Sequence, residues 1–228
     1  MENMQQTDFT QSHLEDTSTM PSYGARQADA SKILTRRELA TVLADLRRKA
    51  ARSKNTHLNL IVFRLAACCG LRASEIAKLQ MGDVHVPMPR PHLKIRASAA
   101  KGGKPRTVPL WWDAGTLDDL SQWKIARVEA GMQPADPFVS SGKPGRDRIV
   151  YSRHTLRKRF RTACRVLGAE RLQTLTIHHG RHTFISHALA GGRTLAEVRD
   201  AAGHSNVSIT SGYLHVAVDD NEIGSLFG

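Results

Sequence analysis

The stretch Ile177–Val216, IHHGRHTFISHALAGGRTLAEVRDAAGHSNVSITSGYLHV, gathers side chains that handle protons and phosphates. It opens on His178, His179, Arg181 and His182, runs through an apolar helix, turns at Gly203-His204 and closes on Tyr213. Bases, a guanidinium and a phenol in one short span are what breaking a phosphodiester needs. His178 and Arg181 stand at i, i+3, which on a helix is one face. His178 and His182 stand at i, i+4, a spacing that also suits a metal. The zinc-protease pattern, however, has Glu where His179 stands, and no third ligand converges in the sequence. No metal site is therefore expected. His182 is expected to pack or to support the site, and His215 to lie at the surface. Taken alone, Tyr213 would be an ordinary buried tyrosine.

The elements that must position these groups follow from periodicity and capping. Residues 1–32 are polar, lack apolar periodicity and are expected to form a disordered tail. A folded domain is expected over 33–216 and a short tail over 217–228. Thr35-Arg-Arg-Glu38 is a capping box opening a helix with Leu39, Val42, Leu43 and Leu46 on one face. A second helix is predicted from about Thr56 to Cys69 and stopped by Gly70. Arg72 then falls at a glycine-broken junction, partly buried and in need of an anion. Glu75 is placed to hold its guanidinium, and a purely structural ion pair remains open there. Short strands are predicted at Val84–Val86, Leu93–Arg96 and Arg106–Leu110, with Lys101 and Lys104 on the turn between the last two. A helix over Gly115–Glu129, a brief strand at Phe138-Val139 and a loop over Gly142–Asp147 come next. Arg153–Leu167 is predicted as a helix with Leu156, Phe160, Ala163 and Leu167 inward. Its cations, Arg153, Arg157, Lys158, Arg159, Arg161 and Arg165, point to a DNA-facing surface. Thr194-Leu-Ala-Glu197 is a second capping box, and Ser205 is the expected cap of the helix carrying Tyr213. Gly180 inside a helix costs about 1 kcal/mol relative to Ala, so His178 and Arg181 are expected to be held loosely.

The formal net charge is +12. Glu2, Asp8, Glu15, Asp16 and Asp29 face Arg26 alone in the first thirty positions, so the remaining chain is more basic still. That excess points to a polyanionic partner, with solubilising charge as the bland alternative. No apolar run is long enough to cross a membrane, and no signal segment opens the chain. Cys68, Cys69 and Cys164 fit neither a disulfide framework nor CxxC metal spacing. A reduced, cytoplasmic protein without a membrane partner is expected.

Gly70-Leu-Arg72-Ala-Ser-Glu75, Lys101 in KGGKPRTVPL, His178-x-x-Arg181-His182-Thr183, and Gly203-His204 followed by Tyr213 in YLHV appear in fixed order. In this the chain resembles the catalytic domain of the tyrosine recombinase (phage integrase) family over roughly residues 33–216. The resemblance implies a mainly helical α+β fold with a small antiparallel sheet or hairpin. It implies attack by Tyr213 on a scissile phosphate, with Arg72, Arg181 and His204 on the non-bridging oxygens and His178 as base or proton relay. Lys101 is implied as the acid for the leaving 5′ oxygen, with Lys104 as runner-up, and Arg153, Arg157, Lys158 and Arg161 as contacts to DNA. The bond energy stays in a 3′-phosphotyrosyl link, so neither ATP, metal nor other cofactor is expected. Double-stranded DNA and a homotetramer on it are the implied partners. Family members usually carry a further N-terminal domain on the opposite face of DNA, and residues 1–32 are too short for one. One-sided DNA binding is therefore expected unless a partner or the tail helps. An idle DNA-binding module and a type IB topoisomerase-like nicking-closing enzyme are the alternatives.

Overall fold

A computed structural model describes residues 29–141 and 148–214. The predicted loop at Gly142–Asp147, His215 and the 217–228 tail lie outside the described residues, as does most of the 1–32 tail. Its last residues, Ala30–Lys32, form a 3-10 turn capped by Asp29, and Arg171 donates to the carbonyls of Ser31 and Ile33 just there.

Helix α1 (Arg36–Ala50) opens on the predicted box: Glu38 N–H donates to Thr35 Oγ1 at 3.1 Å, and Thr35 N–H donates to Glu38 Oε2 at 2.9 Å. Leu39, Val42, Leu43 and Leu46 are buried at helical spacing against α2 (Lys54–Phe63). Helix α2 starts earlier than predicted because Ser53 caps it, and it runs on as a π turn over Arg64–Cys68. Buried Arg64 ties that turn to α4 (Ala114–Glu129) through Asp113 at 3.0 Å and Asp119 at 2.7 Å. Helix α3 (Ala73–Lys78) leads to a three-stranded antiparallel sheet, β1 (Val84–His85), β2 (His92–Ile95) and β3 (Arg106–Pro109), in that order. Leu93 pairs with Val84 on one side and Val108 on the other. No strand forms at Phe138-Val139; isolated bridges at Gln80–Pro137 and Ser140–Val150 flank it, and both residues are core.

Helix α5 (Arg153–Ala163) buries Leu156, Phe160 and Ala163, and Phe160 stacks on Phe63 with centroids 5.6 Å apart. The predicted helix ends in a 3-10 turn, Cys164–Leu167. Helices α6 (Ala169–Thr174), α7 (Ile177–Ala190), α8 (Leu195–Ala202) and α9 (Val207–Ser211) complete the described chain. Asn206, not Ser205, caps α9: its side chain reaches the amide two residues on, as an Asx cap does. Tyr213 follows α9 in a turn rather than riding on it. A second, smaller core joins α7 to α8 through Phe184, Ile185, Val198 and Ala202, and takes in Tyr213.

Gly180 does the opposite of loosening α7. A Cβ there would lie 3.0 Å from the carbonyl carbon of Ala66 and 3.1 Å from its oxygen. Its bare Cα lets α7 lie flush on the π turn, so the helix carrying His178 and Arg181 is seated on buried backbone.

Candidate active site

Helix α7 presents His178, Arg181 and His182 along one face, at i, i+3 and i+4. Arg181 is 2% exposed. It donates from Nη1 to the Gly70 carbonyl at 2.8 Å and from Nη2 to the Ala202 carbonyl. One guanidinium thus binds the end of the π turn to the end of α8. Both acceptors are neutral, so its charge is not cancelled. Burial, with Arg72 and Arg106 nearby, pushes Arg181 down to about 9, still cationic at neutral pH.

Arg72 reaches the same place from the opposite side of the sequence. Its side chain is 22% exposed and donates to Glu75 Oε1 at 3.0 Å, while its amide donates to Glu75 Oε2 at 2.8 Å. Glu75 is wholly buried and also receives a bidentate pair from Arg106 at 2.9 and 2.8 Å. These guanidiniums hold its carboxyl below the usual range despite burial. Arg106 in turn donates from Nε to the Ala201 carbonyl at 2.9 Å. Gly203, in the left-handed region at φ +66°, has room for no side chain: a Cβ would come within 2.7 Å of Arg106 Cδ. The chain therefore turns tightly there and delivers His204, whose Nδ1 meets Thr210 Oγ1 at 2.9 Å. Burial and the cations Arg181, Arg72 and Arg106 push His204 down to about 3.

Tyr213 is 8% exposed, with its hydroxyl hydrogen-bonded to His182 Nδ1. Burial raises its phenol and Arg181 opposes that. His182 is pushed down to about 4 by burial and by His178, His179, Arg181 and Lys32. His178 is exposed, its ring edge-on to His182 at 4.8 Å between centroids. Partial burial, Arg181, Arg72 and Lys101 lower it. Among the described residues, no group of three or more His, Cys, Asp or Glu converges to hold a metal ion.

Two clefts meet at Arg72. One, of about 810 Å³, is lined by Lys101, Lys104, Arg106 and His204 as well as Arg72. The other, of about 780 Å³, is lined by Arg153, Arg157, Lys158, Arg161 and His178 as well as Arg72. Lys101 and Lys104 are both exposed on the β2–β3 turn. The predicted site residues other than Arg181 and Tyr213 thus line one cleft or the other, while Arg181 and Tyr213 are buried, Arg181 coupled to Arg72 and Tyr213 bonded to His182. Arg159 lines neither, donating to Asn59 at 2.9 Å and Tyr151 at 3.1 Å. Arg106 went unassigned in the sequence. The available signal was strand alternation, which puts it on the inward face with Val108, where a cation needs a buried acid. The contact between His182 and Tyr213 carries no sequence signal beyond proximity to Arg181.

A sequence model of the phage integrase family matches residues 32–219. The tyrosine recombinase XerC of Corynebacterium efficiens is 33% identical over 156 residues, 68% of this chain and 46% of that protein. The tyrosine recombinase XerD of Listeria monocytogenes is 28% identical over 152 residues, 64% of this chain and 46% of that one. The chain thus spans about half the length of these relatives. In fold it is similar to the crystal structure of XerA recombinase, with a TM-score of 0.62 at 19% identity over 86% of this chain and 62% of that one. It is similar also to XerH site-specific recombinase bound to difH substrate in a pre-cleavage complex, with a TM-score of 0.63 at 20% identity over 81% and 50% of the two chains. No helix among the described residues is long and apolar enough to cross a membrane. With its helical frame, three-stranded sheet and motif order, the chain belongs to the phage integrase family, as a tyrosine recombinase catalytic domain.

Proposed function

We propose that this protein is a site-specific DNA recombinase that cuts and rejoins strands through a 3′-phosphotyrosyl intermediate. The observation that carries the reading is the closeness of Arg72, Arg181 and His204, whose charges act on one another, with the Tyr213 hydroxyl bonded to His182, the neighbour of Arg181 on α7. Three buried or half-buried guanidiniums against the one carboxylate of Glu75 make a site short of an anion. A phosphate diester supplies it, and Arg72 and Arg181 suit its non-bridging oxygens because guanidinium is planar, bidentate and cationic at neutral pH. His204 donates to the same oxygens. Tyr213 attacks phosphorus, His178 serves as base or proton relay, and Lys101 on its exposed turn protonates the leaving 5′ oxygen, with Lys104 as its neighbour in reserve. Arg153, Arg157, Lys158, Arg161 and Lys104 hold the flanking backbone.

The partner is double-stranded DNA, bound as a tetramer on two duplexes, in the cytoplasm and without metal or ATP. XerH has been captured on its difH substrate both before and after cleavage, and the same two-step chemistry is assigned to this chain. An idle module has no use for the whole constellation, and a nicking-closing enzyme would relax one duplex without exchanging two.

The test uses a pool of nicked duplexes with a randomised core, in which cleavage releases a short strand and traps the enzyme. The full chain is expected to form a covalent protein–DNA adduct that Tyr213→Phe abolishes. An adduct that persists in Tyr213→Phe, or none with the unaltered protein, contradicts the reading.

A further inference from the structure

Within the reading of Tyr213 as nucleophile, the contact at its hydroxyl identifies a further catalytic group. We propose that His182 is the base that takes the phenol proton of Tyr213 on strand cleavage and returns it on rejoining. It is His182 Nδ1, not His178, that meets the Tyr213 hydroxyl. The ring planes lie 31° apart with centroids at 5.6 Å. An Nδ1 that accepts from a phenol places the ring proton on Nε2 and leaves the nitrogen beside the reacting oxygen free to take a second proton.

The surroundings keep it in that form. Its own helix brings His178, His179 and Arg181 to bear on it, and the N-terminal turn brings Lys32. His204 faces it from the turn after α8, and Tyr213 from beyond α9. None of these carries a negative charge before the reaction, so among the described residues burial and the neighbouring cations favour the neutral ring. Arg181 and His182 are adjacent, so one turn of α7, seated on the π turn through Gly180, fixes the phosphate-binding cation and the base together.

The step balances. The Oη–P bond forms and the P–O5′ bond breaks. The phenol proton passes to His182, and a proton from Lys101 goes to the 5′ oxygen. Rejoining reverses each transfer, with the 5′ hydroxyl as nucleophile and Tyr213 as leaving group. His178, edge-on to His182, is then the outlet through which the proton exchanges with solvent.

The test measures adduct formation by His182→Gln on the nicked duplexes, between pH 6 and 9. Glutamine keeps a hydrogen bond to the phenol but takes no proton. A general base contributes about 100-fold or more, so at pH 7 the variant is expected to be slower by that factor. Its rate is expected to climb about tenfold per pH unit, following the phenolate fraction, where the unaltered protein changes little. A fluorinated, more acidic tyrosine installed at position 213 is expected to restore much of the rate. Unaltered rate and profile in His182→Gln, or a slow variant with a flat profile that the acidic tyrosine does not rescue, overturns the proposal. Histidine-ring NMR of the unaltered protein checks it without a variant. His182 is expected neutral with its proton on Nε2 from pH 5 to 8, and protonation near pH 6.5 would overturn it. Loss of the adduct's dependence on Tyr213 would instead sink the nucleophile assignment, so the two failures are told apart.

Discussion

At the scale of single residues, the site is an economy of charge. Glu75 serves two guanidiniums, Arg72 and Arg106, while Arg181 donates to carbonyls. The cations are thereby fixed in place without being neutralised, which is what binding an approaching phosphate requires. The division of labour between acid and base is separable by chemistry. Lys101, as the proposed acid for the leaving oxygen, would have no work to do when that oxygen is replaced by sulfur, since a thiolate departs unprotonated far more readily than an alkoxide. Lys101→Ala is expected to slow cleavage about 100-fold or more on ordinary DNA and to cut a duplex with a 5′-bridging sulfur at nearly the unaltered rate. Rates on the two substrates, taken side by side, check this. The same rescue seen only with Lys104→Ala would move the role to Lys104.

At the scale of elements, rigidity comes from the seat of α7 on the π turn. Helix propensity favours alanine over glycine by about 1 kcal/mol, yet at position 180 the new methyl would press on Ala66 backbone rather than on a yielding side chain. Overpacking of this sort costs about 1–3 kcal/mol. Gly180→Ala is expected to lower the melting temperature and to slow adduct formation more than it weakens DNA binding; a raised melting temperature would contradict it. Much of this framework is legible in the sequence. The boxes Thr35–Glu38 and Thr194–Glu197 and the apolar spacing of α1 and α5 declare themselves, because capping and periodicity are local. What is not legible depends on contacts far apart in the chain. The π turn, the tight approach at Gly180 and the core role of Phe138 without a strand are of that kind. The inward aim of Arg106 and the choice of Asn206 over Ser205 as cap were missed although each had a local cue. The six catalytic candidates are legible as residue types in order, but the seating of Arg181 on the Gly70 and Ala202 carbonyls is a property of the fold.

At the scale of the whole molecule, a chain with an excess of positive charge holds the histidines of its site neutral. Burial and neighbouring cations depress His182 to about 4 and His204 to about 3, and lower His178 and His179 as well. In the unfolded chain these rings titrate near the ordinary value of about 6.5. Between the folded and unfolded values the unfolded chain binds more protons, so acid favours unfolding. Their contribution is complete above about pH 6.5 and is progressively lost as pH falls toward 4. The melting temperature of the free protein is therefore expected to fall from pH 7 to pH 5. Bound duplex should blunt the fall, since a phosphate in the cleft favours the protonated rings. A melting temperature indifferent to pH over that range would contradict this charge arrangement. Tyr213 is where the three scales meet, and the most direct measurement is the site of attachment in a trapped complex. Mass spectrometry of the adduct from nicked duplexes, after digestion of protein and DNA, is expected to find a nucleotide phosphate on the peptide that begins at Asp200, at Tyr213. Attachment at any other residue would contradict the account.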